Sequence, residues 1–206
     1  MKFFLILALI ANFINCDKKK KILVLFFSRP GENYNVGNVD VGNTERFINK
    51  MKKILPKSTV YHKIEPVTEY PVPYEEVLKV AREELNEELR PEIKNPITDL
   101  SEYNPIILGY PIWYSEVPRI VINQMELIKE EEFKDKDIIL ITTHEGSGFS
   151  STQGRLKLII KNAKSLIEGK TINGCEVDSK TDEIESFAQS IVKNYYNDDD
   201  LYNNDL

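Results

Sequence analysis

Histidine and cysteine are scarce in this 206-residue sequence, which contains two of each. The cysteines, Cys16 and Cys175, form no CxxC pair and no cluster with histidine, so the sequence contains no disulfide framework. The histidines, His62 and His144, are too few for a histidine-based metal site. We therefore expect that the protein binds no metal ion.

Basic residues are also in the minority, and the formal net charge is −6 at neutral pH. Proteins that bind nucleic acids usually present a basic face, so we expect no nucleic-acid partner. The same charge would steer the protein toward basic surfaces on partner proteins. With 41% apolar and 29% charged residues, no internal repeat and no second domain, the chain has the composition of one globular domain.

The first sixteen residues are predicted to lie outside this domain. Lys2 is followed by an apolar run from Phe3 to Ile14, which is typical of a signal peptide and short for a membrane span. The segment has four alternative explanations: cleavage after Cys16, lipidation at Cys16, an apolar extension of a cytoplasmic protein, and a wrongly chosen start codon. We expect export or membrane anchoring through residues 1–16, and a cytoplasmic location if the segment is not a functional signal.

Removal of this segment takes the single positive charge of Lys2 from the total of −6 and leaves −7. At the other end, the Asp/Asn-rich residues 197–206 are predicted to form a disordered acidic tail. The domain itself is therefore expected to span residues 21–196.

Within this domain, apolar strand patterns alternate with amphipathic helix patterns about five times. This order predicts a three-layer α/β sandwich with right-handed crossovers. Asn43 or Thr44 is the expected N-cap of the first helix. The predicted strands are 22–27, 59–64 (at a sheet edge), a strand from 106, 137–143 and 165–172, and the predicted helices are 43–55, 74–89, 117–128, 152–163 and 180–195.

Three loops follow the three most apolar strands, at residues 28–44, 111–116 and 143–151. In a doubly wound sheet, the carboxyl ends of such strands share one crevice. The first loop brings hydroxyl and amide groups to a helix N-terminus, which suits a phosphate. The second brings the aromatic pair Trp113 and Tyr114, and the third brings Gly146, Ser147 and Gly148, which allow a planar ligand to approach the backbone.

A flat ring system with a phosphate at its far end suits all three loops together, and FMN has that shape. Each loop alone also has an ordinary explanation. The aromatic loop can be a turn whose Trp113 packs inward, Thr44 can be a plain helix cap, and the glycines can belong to a simple turn. The ordered occurrence of the loops after successive central strands is what favours FMN.

Three segments resemble the flavodoxin family, and most closely its small bacterial-type members. The resemblance spans residues 21–193. It implies a flavodoxin-like sandwich, with a five-stranded parallel sheet in the order 2-1-3-4-5 and helices on both faces. The segments are Ser28-Arg29-Pro30-Gly31-Glu32-Asn33, Gly109-Tyr110-Pro111-Ile112-Trp113 and Thr143-His144-Glu145-Gly146-Ser147-Gly148.

The resemblance also implies which residues bind FMN. It assigns the phosphate to Ser28, Asn43 and Thr44, and the ring to the second and third segments. Two features depart from the family pattern: the long loop between Ser28 and Asn43, and Ser115, which stands where many members have glycine. The implied cofactor-binding residues are Ser28, Asn43, Thr44, Pro111, Ile112, Trp113, Tyr114, Thr143, Glu145, Gly146, Ser147 and Gly148.

The expected function is that of an FMN-binding electron carrier that passes electrons to a partner protein. No residue is expected to be catalytic, because no nucleophile–base pair is evident and His144 lies inside the third segment. One alternative is an NAD(P)H-dependent quinone or nitro reductase, in which residues 33–41 supply a wall of a second substrate site. Another is a non-redox binding module that uses the same fold.

Overall fold

The strands and helices alternate along the chain as the sequence predicts. The computed structural model describes residues 20–196. The elements are β1 (Lys21–Phe26), β2 (Gly31–Asn33), β3 (Gly37–Val39), α1 (Asn43–Met51), β4 (Val60–Lys63), α2 (Tyr74–Asn86), β5 (Tyr103–Pro111), α3 (Arg119–Leu127), a 3₁₀ turn (Glu130–Phe133), β6 (Asp137–His144), α4 (Thr152–Ile159), β7 (Ser165–Asn173), a second 3₁₀ turn (Gly174–Glu176) and α5 (Thr181–Tyr195).

Across the described residues, five parallel strands form the main sheet in the order β4-β1-β5-β6-β7. Counted along this sheet alone, the order is 2-1-3-4-5, which confirms the predicted topology. β4 lies at the edge, also as predicted. Phe26 pairs with Gly109 and Pro111 pairs with Thr143, so β1, β5 and β6 end at one edge of the sheet. The three loops predicted to share a crevice start there.

The central strands bury side chains on both faces, because alternate residues of a strand point to opposite sides. In β1, Leu23 and Leu25 belong to one core, which packs against α3 and α4. Ile22 and Val24 belong to the other, which packs against α1 and α5. Helices on both faces are thus confirmed. The continuous apolar pattern of β1 reflects this burial on two sides.

The connection between β1 and α1 differs from the expected polar loop. In its first part, β2 and β3 pair as a small antiparallel hairpin, which the sequence pattern does not predict. The hairpin is short and polar, and therefore lacks the apolar alternation that identifies a strand. Gly31 and Gly37 adopt positive φ angles of 92° and 85° at the ends of the hairpin, where residues with a side chain would be strained.

The N-cap of α1 also differs from the predicted one. Gly42 occupies the N-cap position, and Asn43 and Thr44 are the first residues of the helix. The capping acceptor comes instead from the end of β1: the Glu45 N–H donates to Ser28 Oγ at 3.0 Å. A local cap is unnecessary because a distant hydroxyl already satisfies this N–H group.

Residues 20–196 contain no helix both long and apolar enough to span a membrane. In the same range, no cluster of histidine, cysteine and acidic residues has the make-up of a metal site. The predicted signal segment and the predicted acidic tail lie outside the described residues.

Candidate functional site

An open cleft of about 210 Å³ lies at the carboxyl edge of the sheet, between the hairpin, α2 and the loops that follow β5 and β6. Polar side chains from β1, α1 and β6 line one end. Apolar and aromatic side chains from α2 and the loop after β5 line the other.

The polar end is built around the first turn of α1. Ser28 and Thr44 are buried, with 4% and 1% of their surfaces exposed. Ser28 Oγ accepts the N–H of Glu45, and the Arg46 N–H donates to the Gly42 carbonyl. The N–H groups of Asn43 and Thr44 have no acceptor within the helix because they belong to its first turn. These groups and the helix dipole favour an anion at this end of the cleft.

Two threonine hydroxyls meet beside this turn. Thr44 Oγ1 lies 2.8 Å from Thr143 Oγ1, so the end of β6 is hydrogen-bonded to the start of α1. Both residues are almost fully buried. A hydroxyl pair of this kind uses one hydrogen internally and leaves the other free to donate to a ligand. Ser28 also keeps its own hydrogen for donation, since it acts as an acceptor toward Glu45.

Gly42 allows the polar end to be this compact. A Cβ at this position would overlap the Arg29 carbonyl oxygen and Ser28 Oγ, and would lie 2.8 Å from the Arg29 carbonyl carbon. The backbone of Gly42 is in an ordinary extended conformation, with φ −64° and ψ 158°. The requirement for glycine is therefore one of space and not of backbone angle.

The loop after β6 closes the polar end. The Gly146 N–H donates to His144 Nδ1 at 2.8 Å, so this ring nitrogen carries no proton. Burial lowers the pKa of His144, which favours the neutral ring, although the charge of Glu176 opposes this shift. Removal of water around its carboxyl raises the pKa of Glu145, which is partly offset by hydrogen bonds from Asn35 and the Gly174 backbone.

The loop after β5 forms the aromatic wall. Trp113 is half-buried and packs edge-on against Phe27 and Tyr70, with ring centroids 5.4 and 5.1 Å away. The Tyr114 hydroxyl donates to the Leu78 carbonyl at 2.9 Å, which holds its ring against α2. The Arg82 guanidinium lies 5.0 Å from the centre of the same ring, within the range of a cation–π contact.

A tight turn sets the direction of these two rings. The N–H and carbonyl groups of Trp113 and Glu116 bond to each other at 3.1 and 2.9 Å. The residues between them, Tyr114 and Ser115, have positive φ angles of 50° and 62°. Such turns usually contain asparagine or glycine, because other residues are strained with positive φ. Ser115 therefore adopts a left-handed conformation at the position where the family often has glycine.

α2 supplies the apolar part of the cleft. Tyr74, Val77, Leu78 and Ala81 line it, at the i, i+3, i+4 and i+7 spacing of one helical face. Periodicity shows that the Val77 face is buried but not what covers it. In the folded chain this face lines the cleft.

Arg29 ties the hairpin to the segment that precedes α2. Its guanidinium donates to the carbonyls of Pro71 at 2.9 Å and Val72 at 3.3 Å, and also to the Glu32 carbonyl. Burial lowers the pKa of Arg29, and the nearby charge of Glu32 opposes this shift. The Glu32 carboxylate in turn accepts the N–H of Tyr74 at 2.9 Å, at the start of α2.

This arrangement brings a second aromatic pair to the cleft. The rings of Tyr34 on the hairpin and Tyr74 on α2 stack with their centroids 5.7 Å apart and an interplanar angle of 29°. Tyr34 is 54% exposed, which is unusual for so large a side chain. Burial raises the pKa of Tyr74, and the nearby Tyr114 and Tyr34 hydroxyls raise it further.

Ten of the twelve residues predicted to bind the cofactor line this one cleft. Gly146 and Gly148 lie in the same loop but outside the lining, at positive φ angles of 109° and 61° that shape the turn. The ten are Ser28, Asn43, Thr44, Pro111, Ile112, Trp113, Tyr114, Thr143, Glu145 and Ser147, and the lining residues missed by the prediction are Arg29, Asn33, Tyr34, Tyr74, Val77, Leu78, Ala81, Ser115 and His144.

Comparison with known proteins identifies the family. The model of the flavodoxin family matches residues 21–189. The chain belongs to the flavodoxin family. No curated protein matches the sequence of this flavodoxin-family chain.

Solved structures with this fold are only distantly similar in sequence. A flavoprotein from Bacteroides uniformis is 21% identical, with a TM-score of 0.60, and the match covers 85% of this chain and 99% of that one. A flavoprotein in complex with FMN from Lactobacillus acidophilus is 15% identical, with a TM-score of 0.58, over 78% and 97% of the two chains. Rubredoxin oxygen:oxidoreductase from Desulfovibrio gigas is 10% identical, with a TM-score of 0.51, over 87% and 37%.

Proposed function

We propose that this flavodoxin-family chain binds FMN in the cleft and carries electrons to a partner protein. The observation that carries the proposal is the division of one cleft into a polar end at the first turn of α1 and an aromatic, apolar end. FMN has a matching division, with a phosphate at one end and a flat apolar ring system at the other. The Lactobacillus acidophilus flavoprotein with the same fold is a complex with FMN.

The residues present suit such a ligand without a dedicated lysine. The N–H groups of Asn43 and Thr44 and the hydroxyls of Ser28 and Thr44 would hold the phosphate, because neutral donors at a helix N-terminus stabilise an anion. Trp113 and Tyr114 would lie near the ring system and exclude water from it. When bound, FMN supplies the one- and two-electron chemistry, and the protein supplies position, shielding and charge.

The partner we propose is a protein with a basic docking surface. The segments that line the cleft, residues 28–44, 74–81, 111–115 and 143–147, contain two basic residues, Arg29 and Lys79, and the guanidinium of Arg29 is bound to backbone carbonyls. Acidic residues are in the majority there: Glu32, Asp40, Glu75, Glu76 and Glu145. A basic partner would approach this rim faster than a neutral one, and salt would reduce the difference. The export that we expect from residues 1–16 would place this encounter outside the cytoplasm.

A matched pair of threonine variants tests the phosphate assignment. Thr44 Oγ1 and Thr143 Oγ1 lie 2.8 Å apart in the cleft, and Thr142 Oγ1 donates to Thr171 Oγ1 at 2.8 Å outside it. Thr44→Val and Thr171→Val should each lose about 1 kcal/mol of stability, because each removes one such bond. Only Thr44→Val should weaken FMN binding, and neither should weaken riboflavin binding.

Titration of FMN and riboflavin into cofactor-free protein, followed by flavin fluorescence, measures both affinities. If Thr44→Val keeps the wild-type preference for FMN over riboflavin, the Thr44 hydroxyl does not bind the phosphate. A purified wild-type protein that is colourless and takes up no flavin would support the non-redox binding module instead.

The hairpin favours a second candidate function, that of an NAD(P)H-dependent quinone or nitro reductase. Asn33 and Tyr34 extend the cleft beyond the flavin loops, and a reductase needs room there for a second planar substrate. Steady-state oxidation of NAD(P)H in the presence of a quinone separates the two functions. An electron carrier alone should show no turnover, whereas a reductase should turn over and lose activity in Tyr34→Ala.

A further inference from the structure

A buried carboxyl lies directly behind the aromatic wall of the cleft. Glu84 on α2 is only 6% exposed and follows Val77 and Ala81 on the buried face of the helix. A small cavity of about 10 Å³ is lined by Glu84, Trp113 and Arg119, among others. Trp113 and Ala81 line both this cavity and the ligand cleft, and therefore separate the two.

Tyr70 connects this carboxyl to the wall. Its hydroxyl donates to Glu84 Oε2 at 3.2 Å, while its ring packs edge-on against Trp113 at an angle of 84°. Phe27 completes the cluster, with its ring 5.6 Å from Tyr70 and 5.4 Å from Trp113. The orientation of Trp113 therefore depends on Tyr70, and the hydrogen bond to Glu84 helps to hold Tyr70.

The charges around Glu84 come from each element that packs against it. Arg119 at the start of α3 is 4% exposed, and within residues 20–196 its Nη2 makes no hydrogen bond. The same nitrogen lies 3.6 Å from the Glu88 carboxylate. Glu83 lies beside Glu84 on α2, and Glu116 from the aromatic loop lines the small cavity.

These surroundings leave the Glu84 carboxyl able to change its charge near neutral pH. Burial raises the pKa of Glu84 to about 7, although the Tyr70 hydrogen bond and the positive charge of Arg119 oppose the shift, and Glu83 adds to it. Burial also raises the pKa of Tyr70, so that Tyr70 stays a neutral donor. The hydrogen bond from Tyr70 is stronger when Glu84 is ionised, because charge-assisted bonds are about twice as strong as neutral ones.

We propose that Glu84 is a positioning residue for Trp113 in the aromatic wall, and that protonation of the Glu84 carboxyl weakens the binding of an aromatic ligand against this wall. The ionised carboxylate holds Tyr70, and Tyr70 supports Trp113. The protonated carboxyl holds Tyr70 less firmly. Where the ligand is FMN, the inference rests on the proposed function, but the effect on Trp113 belongs to the protein alone.

Trp113 is the single tryptophan of the chain, so its fluorescence reports on the wall in the cofactor-free protein. The wild type should show a transition in emission near pH 7. Glu84→Gln, which keeps an acceptor for Tyr70 but does not titrate, should lack it. Glu83→Gln changes an exposed carboxyl on the same helix and should keep it. Tyr70→Phe keeps the ring but removes the hydroxyl that donates to Glu84, and should also lack the transition.

FMN affinity measured at pH 6 and pH 8 provides the second readout. The wild type and Glu83→Gln should bind FMN about three- to tenfold more tightly at pH 8, whereas Glu84→Gln should bind equally at both values. A fluorescence transition that persists unchanged in Glu84→Gln overturns the inference, as does a wild type without one between pH 5 and 9. FMN binding that is equal at both pH values in the wild type overturns the link to the ligand.

The two proposals can fail separately. If the protein binds no FMN at any pH, the proposed function is wrong, and the fluorescence of the cofactor-free protein alone decides the role of Glu84. If FMN binds but Glu84→Gln leaves both readouts unchanged, the proposed function stands and Glu84 is not a positioning residue.

Discussion

Replacement of Gly42 by alanine should destabilise the protein even though alanine suits the backbone angles at this position. With φ at −64° and ψ at 158°, alanine gains about 0.4–1 kcal/mol, because it restricts the unfolded chain. The new Cβ, however, would overlap Ser28 Oγ and the Arg29 carbonyl. Main-chain atoms at the end of a central strand have little freedom to move away.

The expected net loss is about 1–3 kcal/mol. Overpacking of a filled site costs about 1–3 kcal/mol. Displacement of Ser28 also weakens its hydrogen bond from the Glu45 N–H, which is worth about 0.5–1.5 kcal/mol. These costs exceed the gain in the unfolded state. FMN affinity should fall as well, since the first turn of α1 would move away from Ser28.

Gly154 provides the matched control. It lies in α4, is exposed, and a Cβ there would meet nothing within 4 Å. Gly154→Ala should therefore stabilise the protein by about 0.5–1 kcal/mol, as is usual for glycine within a helix. Urea denaturation of the wild type and both variants measures the two changes, with equal m-values required for the comparison. A Gly42→Ala variant as stable as Gly154→Ala would refute the close packing at the polar end.

Two further variants test strain and buried charge. Ser115→Gly should stabilise the protein by about 0.5 kcal/mol, because relief of a φ of 62° outweighs the extra freedom of the unfolded chain. Ser190→Gly in α5 should instead destabilise the protein by about 0.5 kcal/mol. If Ser115→Gly destabilises the protein as Ser190→Gly does, Ser115 is not strained. Glu84→Gln should change the pH dependence of stability. Since the folded-state pKa of Glu84 is raised from 4.5 to about 7, its protonated form stabilises the fold below pH 4.5, and this contribution is lost as the pH rises to 7. The full shift corresponds to about 3 kcal/mol, and we expect about 1–2 kcal/mol, because relaxation around the buried carboxyl reduces the cost of its charge. From pH 5 to pH 8, the free energy of unfolding of Glu84→Gln should therefore rise by that amount relative to that of the wild type, as measured by denaturant titration. If the difference between the two proteins is the same at both pH values, the assignment is wrong.

The order of strands and helices follows from local patterns in the sequence. Ile22 to Phe27 and Ile138 to Ile141 are continuous apolar runs, as strands buried on both faces require. Right-handed crossovers restrict the topology of such strands, and the order 2-1-3-4-5 came from the resemblance to the flavodoxin family. Ser28, Trp113 and Thr143 lie at the same edge of the sheet because each stands at or just past the carboxyl end of a parallel central strand.

The other wall of the cleft could not be predicted in this way. The Val77 face of α2 has the same apolar spacing whether it covers the sheet or a ligand, and Tyr34 lies in a hairpin too short and polar to be recognised. Glu84 was missed because an acidic residue in a charged helix normally faces solvent. Its burial depends on Tyr70 and Arg119, which come from segments on either side of α2 in the chain.

The sequence by itself therefore determined the layers and the three loops that meet at the carboxyl edge of the sheet. These features depend on periodicity and on chain direction, which are local properties. Only the tertiary structure decided that Ser28 caps a helix 17 residues later and that Arg29 holds the carbonyl of Pro71, 42 residues away. Such contacts depend on where folded elements come to rest against each other, and the pattern of any single segment does not contain that information.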